Sequence, residues 1–158
     1  FRSNALAKAR HAARLGGLPA LADDSGICAA ALDGEPGVHS ARYASGPGAS
    51  RRDDQDQLNN EKLISALRDL PDRRAHYYCV IVLMRHGRDP QPLIAEGNWH
   101  GRIIDRPRGQ HGFGYDPYFE LPDLGRTAAE LEAQEKNRIS HRGKALRRLL
   151  AMLKEGPG

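Results

Sequence analysis

The sequence predicts an α/β or α+β protein built on a mixed β-sheet with helices packed against it. Three observations carry that expectation. Tyr77–Met84, "YYCVIVLM", is an apolar run of strand length rich in β-branched and aromatic residues. Leu93–Gly101, "LIAEGNWHG", follows it after the turn-rich "RHGRDPQP" and reads as its hairpin partner. On both sides of that hairpin, apolar residues recur near a 3.6-residue period, so helices alternate with strands.

Taken in order, Asn4–Leu15 has an Ala/Leu face at helical spacing and stops at Gly16-Gly17, a C-cap signal. Leu18–Ala22 predicts a short buried strand, and Ile27–Leu32 a second one turned by "DGEPG" at Asp33–Gly37. "GPGAS" at 46–50 predicts a loop. Asp54–Leu70 places Leu58, Leu63, Ile64, Leu67 and Leu70 near a helical period. Thr127-Ala-Ala-Glu130 is a capping box that should open a helix. Ser140 should cap the last helix, whose apolar face would include Leu146, Leu149, Leu150 and Leu153. There is no internal repeat and no low-complexity segment.

A length of 158 residues favours one domain spanning 1–158, or two tightly packed lobes. No apolar run approaches the ~20 residues of a membrane span, and the start carries no signal-peptide pattern. Cys28 and Cys79 lie far apart in apolar segments and form no CxxC. They read as reduced thiols of a cytoplasmic protein rather than metal ligands. The net charge of +4 comes from scattered basic residues. It suits a polyanionic small molecule or weak nucleic-acid contact, and does not decide between them.

Three stretches could carry chemistry. Asp23-Asp24-Ser25-Gly26 puts two carboxylates at the end of an apparent strand, where neighbouring side chains face opposite ways. The two aspartates should therefore do different jobs. A carboxylate there can bind Mg2+ or orient water, although Asp, Ser and Gly are also ordinary turn residues. "GQHGFGYDPYF" at 109–119 brackets Phe113 with Gly112 and Gly114, followed by Tyr115 and Asp116. Such a loop can approach a flat ligand closely and stack an aromatic on a base, or it can be a hairpin loop with core aromatics. It is not a P-loop, since no GxxxxGK[ST] is present. "EKNRISHRGKAL" at 135–146 places Lys136, His141 and Arg142 at a helix junction. That position offers donors to carbonyl or phosphate oxygen, or it is a solvated basic helix start.

The order and spacing of these stretches resemble the inosine/xanthosine triphosphate pyrophosphatase family over nearly the whole chain. The matching segments are "NALAKAR" at 4–10, "ADDSG" at 22–26, "PGVHSARYA" at 36–44, "GFGYDP" at 112–117, "TAAEL" at 127–131 and "EKNRISHRGKAL" at 135–146. The resemblance implies an elongated, twisted mixed sheet flanked by helices, with two lobes around a central cleft. It implies Mg2+-dependent hydrolysis of ITP, dITP or XTP to the monophosphate and pyrophosphate, by a cytoplasmic homodimer with no nucleic-acid or membrane partner. Asp24 would be the general base and metal-side carboxylate, and Asp23 would support the metal or the turn. Lys8 and Lys136 would neutralise phosphate oxygens. Phe113 would stack on the purine, with Gly114, Tyr115 and Asp116 in the same binding loop and Ser25 touching the substrate. Donors from Arg142 or His141 would match the purine O6 and oppose the 6-amino group of adenine; rejection of guanine needs another cause, such as a tight wall near the 2-position.

Two departures accompany the match. The family begins with a strand and a triphosphate-gripping loop, (S/T)xNxxK, that this sequence does not contain before Phe1. Its F-x-E-N acidic position is Ser3 here, a poorer Mg2+ ligand than a carboxylate. The alternatives are a Maf-type nucleotide pyrophosphatase, opposed by "SHRGKAL" and "GFGYDP", a folded but inactive relative, and a basic nucleic-acid-binding module. The last would show a continuous basic stripe where this chain places carboxylates.

Overall fold

The computed structural model describes residues 1–44 and 52–155; the loop expected at 46–50 lies outside the described residues. Five strands form one sheet: β1 (Ala20–Ala29), β2 (Arg74–Met84), β3 (Leu93–Ile103), β4 (Phe119–Leu121) and β5 (Arg126–Thr127). Their spatial order is their chain order. Every pairing among the described residues is antiparallel, so the mixture is of helices and strands rather than of strand directions. The β2–β3 hairpin forms as expected, in the register Tyr77↔Trp99 and Ile81↔Ala95.

β1 corrects the expectation of two short strands at 18–22 and 27–32. It is one ten-residue strand, and Asp23-Asp24-Ser25-Gly26 lies in its middle, paired with β2 through Asp23↔Ile81 and Asp24↔Val80. Among the described residues β1 is an edge strand, so polar side chains can stay half-exposed while the backbone pairs on one side. Residues Ala30–Leu32 form a 3-10 turn, not strand. "DGEPG" does make the turn, with the Ala29 N–H donating to the Glu35 carbonyl at 3.0 Å.

The sheet carries a helix on each face because its side chains alternate. Val80, Val82 and Met84 of β2 face α1 (Arg2–Gly16), which buries the narrow stripe Ala5, Ala9 and Ala13 against them. Gly17 caps α1 in the left-handed region, as expected. Cys79, Ile81 and Ala95 face the other way, toward Ala145 and Leu149 of α4 (His141–Glu155). A Cβ at Gly97 would sit 2.1 Å from the His141 carbonyl oxygen, so glycine lets the head of α4 lie directly on β3. Leu146, Leu150 and Leu153, expected on the buried face of α4, are exposed; Ala145 and Leu149 do the packing.

A separate apolar cluster gathers Ile27, Leu63, Leu67, Tyr77, Trp99 and Phe119 and ties α2 (Arg52–Leu67) to the opposite end of the sheet. The Thr127–Glu130 capping box forms, but it opens only the 3-10 turn Ala128–Glu130 before α3 (Ala133–Ile139). Ser140 does cap α4, its Oγ accepting from the Gly143 N–H at 3.1 Å. Both cysteines are free, and burial pushes the Cys79 thiol up to about 11. Among the described residues no helix is long and apolar enough to cross a membrane.

Candidate functional site

A cleft of about 800 Å³ opens between the 3-10 segment Gly37–Arg42 with α2 on one side and α3 with the head of α4 on the other. Ser25, Phe113, Gly114, Tyr115, Asp116, Lys136, His141 and Arg142 all line it. These residues come from β1, the loop after β3 and the α3–α4 junction, and the fold brings them to one place. Asp23, Asp24 and Lys8 lie outside that lining.

The centre of the loop is Asp116, which is buried. Its Oδ1 accepts from the Tyr77 hydroxyl at 2.9 Å, and its Oδ2 accepts from Lys136 Nζ at 2.5 Å and the Phe113 N–H at 3.1 Å. A buried carboxylate needs such partners, since each unmade bond would leave its desolvation uncompensated. Gly112 is required here: its φ is 77°, and a Cβ would fall 2.2 Å from Asp116 Oδ2. The Lys136 ammonium stands 4.9 Å from the centroid of the Phe113 ring, within cation–π range, and that ring is half-exposed toward the cleft. Tyr115 is buried and its hydroxyl donates to the Ser40 carbonyl at 2.7 Å. Burial raises both phenols, and for Tyr77 the Asp116 carboxylate adds to it, so both stay neutral donors.

His141 is buried, with its ring stacked on Tyr77 at 4.7 Å and 11° and on Trp99 at 6.0 Å and 15°. Burial, with the Arg142, Lys136 and Lys144 charges behind it, holds the imidazole down at about 3. The ring is therefore neutral at physiological pH, offering one donor and one acceptor. Its Nδ1 is buried without a hydrogen-bond partner in the described structure.

Arg142 reaches back to β1. Its Nη1 meets Asp23 Oδ2 at 2.5 Å, and its Nη2 donates to Ser25 Oγ at 3.1 Å. Asp23 and Ser25, two residues apart, share that face of the strand. Asp24 points to the opposite face, where its Oδ2 accepts from Asn4 Nδ2 at 3.2 Å and its Oδ1 from the Ser25 N–H at 3.1 Å. Lys8, one turn after Asn4 on α1, donates to the Asp23 carbonyl at 3.0 Å. The two aspartates are thus parted by the strand's alternation, and a cation shared between them is not what this register offers. Ser3 is exposed on α1.

Among the described residues no group of three or more His, Cys, Asp and Glu side chains converges as a metal site. The donor set beside Asp24 still fits Mg2+ in one way. This ion takes oxygen ligands, keeps several waters, and is commonly held by one or two carboxylates with substrate phosphates completing the shell. Asp24 supplies one such carboxylate; Asp23 is engaged by Arg142.

Sequence reasoning missed the contribution of α2. Asp56 Oδ2 accepts from the Gly114 N–H at 3.0 Å, and Asn60 Nδ2 donates to the Gly114 carbonyl at 2.9 Å. Asn59, fully buried, donates to the Ala41 carbonyl at 3.0 Å and accepts from the Ala44 N–H at 2.8 Å. In a helical pattern these polar residues read as the solvated face. Their run at positions 56, 59 and 60 in an otherwise amphipathic helix was the available signal.

Residues 1–152 match the model of the Ham1 family. A dITP/XTP pyrophosphatase of Nitrosomonas europaea is 65% identical over 155 residues, covering 98% of this chain and 73% of that protein. One of Burkholderia pseudomallei is 60% identical with the same coverage. Among solved structures, a HAM1 protein from Coxiella burnetii superposes with a TM-score of 0.91 at 53% identity, over 99% of this chain and 77% of that one. The Staphylococcus aureus Ham1 protein gives 0.89 at 40% identity, over 99% and 78%. With the family model covering nearly all of the chain and relatives this close, the chain belongs to the Ham1 family.

Proposed function

We propose that this chain hydrolyses deaminated purine nucleoside triphosphates (ITP, dITP and XTP) to the monophosphate and pyrophosphate. The observation that carries this reading is the cleft. It has the volume of a small-ligand site, and the eight residues expected to bind substrate, from three separate segments, line it. The names of the relatives, dITP/XTP pyrophosphatases, point to the same substrates.

In this reading the purine stacks on Phe113, beside the Lys136 charge. Arg142 donors face O6, and neutral His141 contributes its single donor or acceptor; adenine's 6-amino group would meet donors instead of acceptors. A site that leaves its own buried polar groups unpaired can reject such a mismatch by ~10⁴-fold. Asp23 is then the group that orients Arg142, not a metal ligand. Asn4, Lys8 and the Asp24 carboxylate gather on the other face of β1, where the phosphate end of the substrate would meet them. Asp24 accepts a proton from the water that attacks the α-phosphorus; the bond from that phosphorus to the bridging oxygen breaks, and pyrophosphate leaves. Lys8 offsets phosphate charge. Mg2+, which Asp24 would hold, supplies charge neutralisation of the phosphate oxygens when bound. The homodimer and the cytoplasmic location belong to the same proposal, and rest on resemblance. A nucleic-acid-binding module is disfavoured by Asp23, Asp56 and Asp116 standing in or beside the cleft.

The test is pyrophosphate release from ITP, GTP and ATP at saturating Mg2+. ITP should be turned over well above the other two. Asp24→Asn should abolish turnover while the melting temperature holds, because the amide keeps the Ser25 N–H contact but is a poor proton acceptor. A variant retaining more than about a tenth of the wild-type rate would remove Asp24 from the general-base role.

A further inference from the structure

We infer that Asp56 and Asn60 of α2 are positioning residues for base binding, acting through the Phe113–Gly114 loop. This deepens the reading of the cleft as a purine site and rests on it. The two side chains are four residues apart, one helical turn, and so stand on one face of α2. They grip the same residue from both sides. Asp56 takes the Gly114 N–H at 3.0 Å and Asn60 gives to the Gly114 carbonyl at 2.9 Å. Neither contact is local, the pairs lying 58 and 54 residues apart in sequence. The peptide they hold follows Phe113 directly, and the Phe113 N–H is itself fixed by Asp116 Oδ2.

The loop therefore has two independent anchors. Asp116, with Tyr77 and Lys136, holds it from the sheet and α3. The α2 pair holds it from across the cleft. Asn60 is buried, and its amide also donates to the Asp56 carbonyl at 3.0 Å, which fixes the side chain before any ligand arrives. A loop with positive φ at both Gly112 and Gly114 has many alternative conformations open to it. With both anchors in place the Phe113 ring is held where a purine can lie on it. Without the α2 pair, each binding event must first order the loop, and the affinity for the base falls by that amount.

The probe is inosine monophosphate (IMP), which tests the base end of the cleft without requiring turnover. Its affinity is measured by calorimetry for the wild-type chain, Asp56→Ala, Asn60→Ala, Asp56→Asn and each alanine variant combined with Phe113→Ala. Asp56→Ala and Asn60→Ala should each weaken IMP about 5- to 20-fold, the worth of one lost hydrogen bond to an ordered group. Asp56→Asn should recover most of the loss, since its amide oxygen can still accept the Gly114 N–H. In the Phe113→Ala background the extra loss should vanish, because the pair acts only through that ring. Unchanged affinity in both alanine variants, or an equal loss with and without Phe113, overturns the proposal; the latter would mark a general structural defect. If either alanine variant does not fold, the other and Asp56→Asn carry the same comparison. A wild-type chain that does not bind IMP overturns the purine-site reading itself, and this proposal with it.

Discussion

Asp23 and Asp24 are neighbours in sequence that never meet in space. The period-two alternation of a strand made their separation legible from the sequence alone. What it could not supply was the partner of each. Arg142 lies 119 residues from Asp23 and arrives there only because α4 packs on the sheet, while Asn4 arrives beside Asp24 from α1 on the other face. The same limit hid the targets of Asp56 and Asn60, which are backbone atoms of a loop more than fifty residues away. It did not hide Phe113, Asp116 or Arg142, whose glycine, proline and basic neighbours already suggested close approach to an anionic or flat ligand. The contact between Asp23 and Arg142 makes a sharp prediction. Asp23→Ala should copy Arg142→Ala: each should lower kcat/KM for ITP relative to ATP by about tenfold or more, with the Mg2+ concentration for half-maximal rate unchanged. Should Asp23→Ala instead raise the Mg2+ requirement and leave base selection intact, Asp23 is a metal ligand after all.

At the scale of elements, periodicity worked where one face of the segment meets the core and failed where polar residues sit within a pairing strand. The β2–β3 hairpin, α1 with its Gly17 cap and Ser140 at the head of α4 formed as the pattern implied. Asp-Asp-Ser-Gly is turn-like in composition and implies two short strands, yet pairing with β2 along the whole of β1 outweighs local preference. Of the four leucines expected on the inner face of α4, Leu149 is buried, while the close approach at Gly97 puts Ala145 beneath the helix and leaves Leu146, Leu150 and Leu153 exposed. That approach can be tested. Gly97→Ala puts a methyl 2.1 Å from the His141 carbonyl oxygen and 2.8 Å from the Ala145 nitrogen, both backbone atoms of a packed helix. The helix must shift away, at a cost of about 1–3 kcal/mol for overpacking. Because His141 and Arg142 ride on its first turn, substrate binding should weaken along with stability. Chemical denaturation and IMP titration of the same variant check both; an unchanged midpoint would mean that α4 moves freely on the sheet.

For the molecule as a whole, the His141 ring lies over the neighbouring Tyr77 and Trp99 rings of β2 and β3, joins the sheet to the head of α4 and the cleft, and contributes to how the fold responds to acid. His141 is held at about 3 in the folded chain, chiefly by burial, against an ordinary value of 6.5. A chain unfolded below pH 6.5 binds a proton at this position that the folded chain refuses. Protonation therefore favours unfolding, and the stability contributed by the neutral ring is present above 6.5 and falls as pH drops from 6.5 toward 3. One such group changes stability by at most about 1.4 kcal/mol per pH unit within that window. His76, also lowered by burial and by its neighbour His100, acts in the same direction. Replacing His141 with Gln removes the titration while keeping a polar side chain of similar reach. The variant should be less stable than wild type at pH 7.5, because the stack with Tyr77 and Trp99 is lost. Its unfolding free energy should nevertheless fall less steeply than wild type between pH 6.5 and 4.5, by close to one proton in the linkage slope. Urea unfolding at four or five pH values measures both slopes directly. Parallel curves for the two proteins would show that His141 takes up its proton as readily folded as unfolded, and that the ring is not sealed against Tyr77 and Trp99 as described.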